Sequence, residues 1–326
     1  MKIIFNPIIF KLQTFGGISR LWSQLTNIKT INILNIAKPA GIFTGCTLNI
    51  CRPSRIIFSK KNSITINSYH TITLGFGKSI CICHDLMEER KTDILSKIKK
   101  LYIFLSYYSS NKIICISEKT LSEFRIYYPN MVYKCTVIHN PLSPSFSKSE
   151  IRKTYIGNNK KLKLVYVGKR SGEKNFKGIN ELTSSNLKNF TLDCVCPLFT
   201  AQEKLEYDSL LSEGKIRELG QISDHKLLEL YSSADFLFLP STDEGFGFPI
   251  IESLSMGTPV LILYPSVNHV TNSDGCFVFN RNTTITELDD FCNNWQKNFH
   301  GTAKQIRRDF DINIIIESYR KQILDC

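Results

Sequence analysis

The chain has 326 residues, of which 42% are hydrophobic and 21% charged. These proportions exclude a disordered or fibrous chain, and the length suits two α/β domains of ordinary size. No apolar run approaches the ~20 residues that a membrane-spanning helix needs. The residues from Met1 to Pro7 resemble a first strand and not a signal peptide, so the sequence predicts a cytoplasmic protein.

The positive charge is concentrated in the first half of the chain. Residues 1–160 hold 23 Lys and Arg against seven Asp and Glu, whereas residues 161–326 hold 18 against 22. Such a division favours a polyanionic partner for the first half. Anionic lipid headgroups and nucleic acid both fit this description, and a solvated lysine-rich surface is the third interpretation.

The 11 cysteines do not form the paired Cys-x2-Cys units of a zinc site. Several lie within apolar runs, which is typical of small buried thiols in a reducing compartment. Cys81, Cys83 and His84 are close in sequence, but no second pair of ligands accompanies them. The sequence therefore predicts no metal centre.

Elements of an α/β domain follow one another from the start of the chain. Residues 2–10 are predicted to form the first strand, and Gly16 and Gly17 come before the next amphipathic helix. A glycine pair between a strand and a helix can cradle a phosphate, although two glycines are weak evidence by themselves. A second apolar strand, from Ser79 onward, ends at His84. The carboxyl end of such a strand is where α/β sheets place functional residues, so His84 is a candidate site residue.

An amphipathic helix is predicted from Lys91 to Tyr108. Its apolar side chains recur at intervals of three and four residues, and Lys97, Lys99 and Lys100 occupy other parts of its surface. This combination predicts a basic helix that lies on an anionic membrane, and an ordinary surface helix is the alternative. The apolar positions are Ile94, Ile98, Leu101, Leu105 and Tyr108.

A segment rich in Pro, Ser and Lys, residues 141–160, is predicted to link two domains. The first domain then covers residues 1–150 and the second residues 160–305. The remaining residues, 306–326, are predicted to form a C-terminal helix that crosses back to the first domain.

The second domain opens with a strand over 162–167 and a glycine-bearing loop. Gly168 begins this loop, and Arg170 and Lys174 follow four residues apart. A diphosphate calls for such cations, because Arg offers a bidentate fork and Lys a point charge. The alternative is a solvated loop.

The most informative stretch runs from Asp235 to Val260. An apolar run ending at Pro240 predicts a buried strand, Pro249 suits the first turn of a helix, and Gly257 suits its end. The loop between them leads to a helix N-terminus, which favours phosphate, and its Gly245 and Gly247 allow close approach of a ligand.

Two carboxylates accompany this phosphate-friendly loop. Glu244 lies in the loop and Glu252 about one turn into the helix, so they are expected to reach different ends of one ligand. Carboxylates accept hydrogen bonds from sugar hydroxyls, and the pattern therefore suggests a sugar–diphosphate–ribose compound. The alternative is that the glutamates only stabilise the helix and the glycines only serve a turn.

The sequence from Pro240 to Glu252, followed by Gly-Thr-Pro-Val, resembles the donor-binding signature of retaining glycosyltransferases of family four. Val-Gly-x-Arg-x-x-Glu-Lys-Asn at 167–175 matches a second family motif, except that Glu173 replaces an aromatic residue. Gly16 and Gly17 resemble the family's N-terminal glycine loop, as in polysaccharide and O-antigen mannosyltransferase-like members.

The resemblance implies the GT-B fold, which has two Rossmann-like domains with parallel sheets facing across a cleft. It implies a nucleotide diphosphate sugar as donor, a glycan or lipid-linked glycan as acceptor in surface polysaccharide synthesis, and no metal. Glu244 would then hold the donor sugar, Glu252 the ribose, Arg170 and Lys174 the diphosphate, and His84 would lie beside the sugar. Further donor contacts would come from Gly16, Gly17, Gly168, Ile222, Gly245, Phe246, Gly247 and Phe248.

Two other classes of function stay open from the sequence. One is a catalytically silent glycosyltransferase-like binding protein, against which the retained site residues argue. The other is a nucleic-acid binder that uses the basic first half. That half lacks the motifs of known nucleic-acid-binding proteins, in which basic residues alternate with aromatic ones. No nucleic acid is therefore expected as a partner.

Overall fold

A computed structural model of the chain describes residues 2–5, 42–44, 55–69, 71–151, 161–264 and 274–326. The contacts divide the chain into two compact units. One comprises Met1–Pro141 and Asn313–Cys326, and the other comprises Leu142–Ile312. Gly16 and Gly17 lie outside the described residues, as do most of the predicted first strand and its helix.

The first unit contains a parallel sheet of five described strands, in the order β1-β4-β6-β7-β8. Three further strands form a smaller sheet in the order β2-β3-β5, with one antiparallel and one parallel pair. The strands are β1 (Lys2–Phe5), β2 (Ile42–Thr44), β3 (Arg55–Ser59), β4 (Ser63–Ser68), β5 (Thr71–Gly75), β6 (Lys78–Cys83), β7 (Lys112–Cys115) and β8 (Cys135–Val137).

Two long helices of the first unit start at side-chain caps. Helix α1 (Ile94–Tyr108) begins after Asp93, which accepts a hydrogen bond from the Ser96 amide, and α2 (Glu118–Tyr127) begins after Ser117, which accepts one from Thr120. Short 3-10 turns cover Met87–Arg90 and Pro129–Lys134.

The second unit is built on a six-stranded sheet in which every pair is parallel. Its order is β11-β10-β9-β12-β13-β14, so the chain starts at the centre, moves to one edge and then returns to build the other half. This is the strand order of a Rossmann-like domain. The strands are β9 (Leu162–Val167), β10 (Phe190–Val195), β11 (Ile216–Glu218), β12 (Phe236–Leu239), β13 (Val260–Ile262) and β14 (Cys276–Val278).

Helices alternate with these strands and close the core of the second unit. All four residues of β12 are buried, as expected for a central parallel strand with both faces covered. The helices are α3 (Pro144–Lys148), α4 (Ile179–Thr183), α5 (Ala201–Glu206), α6 (Asp208–Ser212), α7 (Asp224–Ser233), α8 (Phe248–Ser255) and α9 (Ile285–Asp309), with 3-10 turns at Gly172–Lys174 and Phe176–Gly178.

A last helix, α10 (Ile312–Leu324), follows α9 after a break at Phe310 and Asp311. Its residues from Asn313 onward group with the first unit. The helix buries Ile315, Tyr319 and Ile323 on one face, and Lys112 Nζ donates a hydrogen bond to Gln322 Oε1 at 3.1 Å.

The segment 141–160, predicted to link the two domains, contains a short helix in its first part. Helix α3 occupies Pro144–Lys148, and the ring of Phe146 is fully buried against Tyr231 of α7. The Pro- and Ser-rich composition gave no indication of this helix. Its one buried aromatic ring packs the helix against the rest of the second unit. No helix among the described residues has the length and apolarity to cross a bilayer.

Candidate functional site

The candidate site lies at the point of the second sheet where the strand order reverses, between β9 and β12. Strands β9 and β12 are neighbours there, although about 70 residues separate them in sequence. Their carboxyl ends lead into the two loops that the sequence singled out, Gly168–Asn175 and Pro240–Gly247. A crevice outside such a pair of strands is the usual place for a ligand in an open α/β sheet.

Two hydrogen bonds, one between backbone groups and one from a side chain to the backbone, join these two loops directly. The Thr242 amide donates to the Glu173 carbonyl at 2.8 Å, and Asn175 Nδ2 donates to the Pro240 carbonyl at 3.1 Å. Asn175 adopts a left-handed conformation with φ of 44°, which Asn tolerates better than most residues. The two loops therefore form one rigid structure at the edge of the sheet.

Lys174 and Glu244 form the ion pair at the centre of this structure. Lys174 Nζ lies 2.6 Å from Glu244 Oε1 and 2.7 Å from Oε2, and Ser241 Oγ donates to Oε1 at 2.9 Å. The Glu244 side chain is 6% exposed, whereas that of Lys174 is 32% exposed. The carboxylate is thus buried and held by two donors, whereas about one third of the Lys174 side chain faces solvent.

Arg170 occupies a different environment from Lys174. Its Nε and Nη2 donate to the two carboxylate oxygens of Glu203, both at 2.8 Å, and its Nη1 donates to Cys196 Sγ at 2.9 Å. Backbone carbonyls of Pro197 and Leu198 accept from Nη1 and Nη2. Each of the five N–H groups of the guanidinium therefore has an acceptor within the protein.

The partners of Arg170 belong to the segment after β10. Thr200 and Glu203 form a capping box at the start of α5, and the guanidinium lies 4.1 Å from the centroid of the Phe199 ring. The hydrogen bond from Arg170 lowers the pKa of Glu203 to about 2. Arg170 thus joins the loop after β9 to the neighbouring loop after β10.

Two glycines permit the backbone geometry of the site. Gly247 immediately precedes α8 with φ of 83°, and Gly168 begins its loop with φ of 146°, where other residues are strained. A Cβ atom at Gly168 would lie 3.8 Å from Cδ and Cε of Lys174. Helix α8 starts at Phe248, so its N-terminus follows directly from the loop that carries Glu244.

Glu252 lies in the second turn of α8 and is 3% exposed. The hydroxyl of Tyr231, on α7, donates to Glu252 Oε2 at 3.3 Å, and the Tyr231 carbonyl accepts from Thr258 Oγ1 at 2.6 Å. Both ends of Tyr231 are therefore held, and its hydroxyl fixes one oxygen of the glutamate. This second carboxylate is separate from the Lys174–Glu244 pair.

The other predicted site residues of the second unit surround these groups. Phe246 is buried, with its ring 5.0 Å from that of Phe248 and 5.6 Å from that of Phe310. Gly245 is half-buried beside Glu244, and Ile222 is half-buried just before α7. The structure thus brings one cation, two carboxylates and a helix N-terminus to the same sheet edge.

His84 lies in the first unit, directly after β6, and is buried. The ring of Tyr69 contacts it edge-on, with centroids 6.3 Å apart. The neighbouring Asp85 accepts hydrogen bonds from the Tyr69 hydroxyl at 3.3 Å and from the Met87 amide at 3.2 Å, so it orients the turn that follows the strand.

Sequence reasoning missed three residues that hold this site together. Glu203 was recognisable from the Thr-x-x-Glu capping pattern at 200–203, but its pairing with Arg170 was not. Ser241 stood within the recognised stretch from Pro240 to Glu252, yet no local signal indicated that Ser241 or Tyr231 donates to a buried glutamate. Among the described residues, no group of three or more His, Cys, Asp or Glu is placed to hold a metal ion.

Comparison with known proteins gives a consistent family. Residues 147–295 match the family model described as Glycosyl transferases group 1. The O-antigen chain mannosyltransferase RfbU of Salmonella typhimurium is 25% identical over 224 residues, which are 67% of this chain and 60% of that protein. The O-antigen chain mannosyltransferase B of Escherichia coli is 33% identical over 105 residues, 30% of this chain and 27% of that one.

Solved structures show the same fold at lower identity. WaaG, a glycosyltransferase involved in lipopolysaccharide biosynthesis, is 14% identical with a TM-score of 0.63, and 98% of each chain is covered. The predicted α/β fold of the GT-B class is thereby confirmed. The chain spans about 60% of the length of the RfbU relative and a smaller share of mannosyltransferase B.

Proposed function

We propose, from the match of residues 147–295 to the family model of group 1 glycosyl transferases, that the protein is a retaining glycosyltransferase. It moves a hexose from a nucleotide diphosphate sugar to a glycan or lipid-linked glycan acceptor. The single observation that carries the proposal is the Lys174–Glu244 pair at the reversal point of the second sheet, with the start of α8 beside it.

In this proposal Lys174 neutralises the charge that develops on the departing diphosphate. Its side chain is partly exposed, and it is held by a carboxylate that a bound donor can replace as its partner. The N–H groups at the start of α8 face the same charge. Such preorganised charges stabilise a leaving group more strongly in a site that excludes water than they would in solution.

The two carboxylates then bind different parts of the donor. The diphosphate then pairs with Lys174, and Glu244, oriented by Ser241, accepts hydrogen bonds from the hydroxyls of the sugar. Glu252, held by Tyr231, accepts from the ribose hydroxyls. Ile222, Phe246, Phe248 and the glycines at 168, 245 and 247 surround the nucleotide. The further contacts assigned to His84, Gly16 and Gly17 stay predictions.

The sequence also assigned Arg170 to the diphosphate, and this assignment stays a prediction. All five of its N–H groups have acceptors within the protein, so contact with a phosphate requires it to exchange at least one of them. Lys174 is therefore the stronger candidate of the two cations.

The reaction needs no enzyme nucleophile under this proposal. The bond between the anomeric carbon and the diphosphate oxygen breaks, and the acceptor hydroxyl oxygen forms a new bond on the same face of the sugar. The proton of that hydroxyl passes to the departing diphosphate. The charge is stabilised by Lys174 and the helix N-terminus, so we propose that no divalent metal takes part.

We infer the acceptor class from the names of the relatives. The RfbU and mannosyltransferase B relatives are named for the O-antigen chain, and WaaG for lipopolysaccharide biosynthesis. We propose that this protein likewise extends a surface polysaccharide, on the inner face of the cytoplasmic membrane. Its acceptor would then be carried by a lipid or by the growing glycan.

A thermal-shift panel of UDP-, GDP- and ADP-sugars tests the donor part of the proposal. A true donor stabilises the folded protein by mass action, and Lys174→Ala should lose most of that stabilisation. HepE of Anabaena, which is 16% identical with a TM-score of 0.57 over 77% of this chain and 73% of that one, was solved with UDP. The UDP-sugars are therefore the first arm of the panel.

Product analysis then separates a transferase from a silent binding protein. A donor that stabilises the protein should be hydrolysed slowly without acceptor, and the released sugar should keep the anomeric configuration of the donor. Stabilisation without any hydrolysis or transfer would favour the silent protein. A salt-dependent shift with RNA and none with any nucleotide sugar would favour a nucleic-acid binder.

A further inference from the structure

Helix α1 of the first unit turns its apolar side chains towards solvent. The outer stripe, defined as Ile94, Ile98, Leu101, Leu105 and Tyr108, follows the four- and three-residue spacing of one helix face. Its members are 77%, 56%, 60%, 40% and 66% exposed, in that order. Large hydrophobic residues seldom occupy a whole solvent face of a helix, and such a face marks an interaction site.

The face of α1 that packs on the unit is small and partly polar. Its buried residues are Ser96, Ile103, Ser106 and Tyr107, and the Ser106 hydroxyl donates to the Thr71 carbonyl of β5 at 2.6 Å. The fully buried part of this face thus consists of two serines, one aliphatic residue and one tyrosine. The outer stripe stays exposed beside the described part of the unit, so packing against that part does not account for its apolar character.

Positive charges border the stripe. Lys97 is exposed within it, and Lys99 and Lys100 are half-buried on the flank, where Lys100 Nζ donates to the Glu89 carbonyl. At the end of the helix, Lys134 Nζ donates to the Tyr108 carbonyl at 2.9 Å and lies 5.7 Å from the centroid of its ring. Tyrosine and lysine at the edge of an aliphatic surface are typical of groups that lie at the level of lipid headgroups.

We propose that α1 is an interfacial helix that inserts the outer stripe into the surface of an anionic membrane. The aliphatic residues then enter the boundary between headgroups and acyl chains, and the bordering lysines pair with lipid phosphates. The charge of residues 1–160, with 23 basic against seven acidic residues, favours an anionic surface over a second copy of the same unit.

This proposal differs from electrostatic adsorption in its dependence on salt. Salt screens the lysine contacts but leaves the burial of apolar surface intact. The protein should therefore bind vesicles that contain phosphatidylglycerol tightly at low salt and still measurably at high salt. The proposal concerns a surface of the first unit, so it stands independently of the glycosyl transfer proposed for the second.

Vesicle flotation with matched variants tests the inserted stripe. The double variant Ile98→Gln, Leu101→Gln should weaken binding to phosphatidylglycerol vesicles by about tenfold or more, since each change removes a half-exposed aliphatic side chain. Leu205→Gln is the matched control, because Leu205 is 80% exposed on α5 of the second unit. It should bind like the wild type. All three positions are on the surface, and thermal unfolding checks that each variant folds.

The lysines are tested in the same assay. Lys97→Glu should weaken binding to anionic vesicles at low salt by more than about fivefold, since one lysine near an anionic surface contributes about 1 kcal/mol and the glutamate adds a repelled negative charge. Lys177→Glu, at a position 74% exposed in the second unit, is the control and should leave binding unchanged. Equal flotation of wild type with neutral and anionic vesicles would overturn the anionic preference.

A spectroscopic variant distinguishes insertion from contact at the surface. The indole of Leu101→Trp should shift its emission to the blue on addition of phosphatidylglycerol vesicles, and lipids brominated along their acyl chains should quench it. An unshifted, unquenched emission would overturn insertion. Equal vesicle binding by the stripe variant and the wild type would also overturn it. A third contradicting result would be a wild-type dimer that the stripe variant converts to a monomer, with no vesicle binding by either protein.

Discussion

Arg170 and Glu203 are joined by two parallel charge-assisted hydrogen bonds, Nε to Oε1 and Nη2 to Oε2, each 2.8 Å long. The arrangement is the bidentate fork in which a guanidinium matches both oxygens of one carboxylate. It connects the loop that carries Lys174 to the N-terminus of α5, across the carboxyl ends of two adjacent strands. The pair therefore fixes the loop on the side opposite Glu244.

The first prediction concerns the pH dependence of this pair. The hydrogen bond from Arg170 lowers the pKa of Glu203 to about 2 from its usual 4.5. A lowered pKa stabilises the fold above pH ~4.5, and the stabilisation is lost as the pH falls towards 2. The difference in unfolding free energy between wild type and Glu203→Gln should therefore be largest near neutral pH and shrink below pH ~4.5.

Denaturant unfolding at a series of pH values measures this difference. Glu206→Gln is the control, because it removes a carboxylate from the same helix and leaves Arg170 untouched. A gap between wild type and Glu203→Gln that stays constant down to pH ~2.5 would contradict the lowered pKa of Glu203.

The second prediction concerns Lys174. Its replacement by Ala should lower the rate of transfer by a factor on the order of 10²–10³, as the loss of one charge-stabilising group does. Lys177→Ala removes an exposed lysine three residues away and should leave the rate within about twofold of wild type, since surface changes away from a site cost little. Steady-state kinetics with the donor found in the thermal-shift panel give both values.

The third prediction asks how Arg170 acts. All N–H groups of Arg170 already have acceptors within the protein, so we expect Arg170 to act indirectly, by holding Lys174 in place. Arg170→Ala should therefore displace Lys174 and weaken nucleotide binding by about tenfold. In the Lys174→Ala background the same change should then have little further effect, because coupled residues are not additive. Titration calorimetry on the four proteins of this cycle gives the coupling.

Two outcomes of that cycle separate the proposals. Additive losses would assign Arg170 to the diphosphate itself, as the sequence predicted, and leave the transferase proposal intact. Failure of the wild type to bind any nucleoside diphosphate would instead contradict the transferase proposal.

The fourth prediction concerns the hydroxyl of Tyr231. Tyr231→Phe removes a hydrogen bond to the buried carboxylate of Glu252 and should weaken binding of free nucleoside diphosphate by about tenfold, in line with the ~1.5 kcal/mol of a bond to a charged group. Tyr319→Phe is the control, since the described residues supply no hydrogen-bond partner for the buried Tyr319 hydroxyl. Unchanged affinity of Tyr231→Phe would argue against the ribose role of Glu252.

The fifth prediction is that transfer survives chelation. Lys174 and the start of α8 supply the positive charge that a metal ion supplies in other transferases, so EDTA should leave the rate within about twofold of its value in untreated enzyme. The rate is measured before and after dialysis against the chelator. A lost rate that Mg²⁺ or Mn²⁺ restores would contradict the metal-independent mechanism.

Local signals were sufficient to predict the strand, loop and helix around Glu244. The apolar run before Pro240, the proline at 249 and the glycine at 257 each constrain their own neighbourhood, and the observed β12 and α8 follow them within two residues. The environment of Arg170 could not be predicted in this way. Its partners Cys196 and Glu203 lie 26 and 33 positions away, and only the pairing of β9 with β10 brings them close.

Helix α1 shows a different limit of sequence reasoning. The period of its apolar residues showed that Ile98 and Leu101 share a face, and this was correct. Periodicity does not say which face meets the core, because it records only the angle between side chains. The packed face is instead marked by Ser96 and Ser106, which are small enough to approach the sheet closely and polar enough to be overlooked.

The discontinuous course of the first unit has a consequence for how the chain is made. Residues 313–326 complete its core with Ile315, Tyr319 and Ile323, yet they are synthesised after the whole second unit. The second unit can fold as soon as it leaves the ribosome, whereas the first must wait, with part of its apolar surface uncovered, for the last helix. No single cut in the chain releases the first unit whole, so a fragment ending near Pro141 should be isolable only when the α10 peptide is supplied with it.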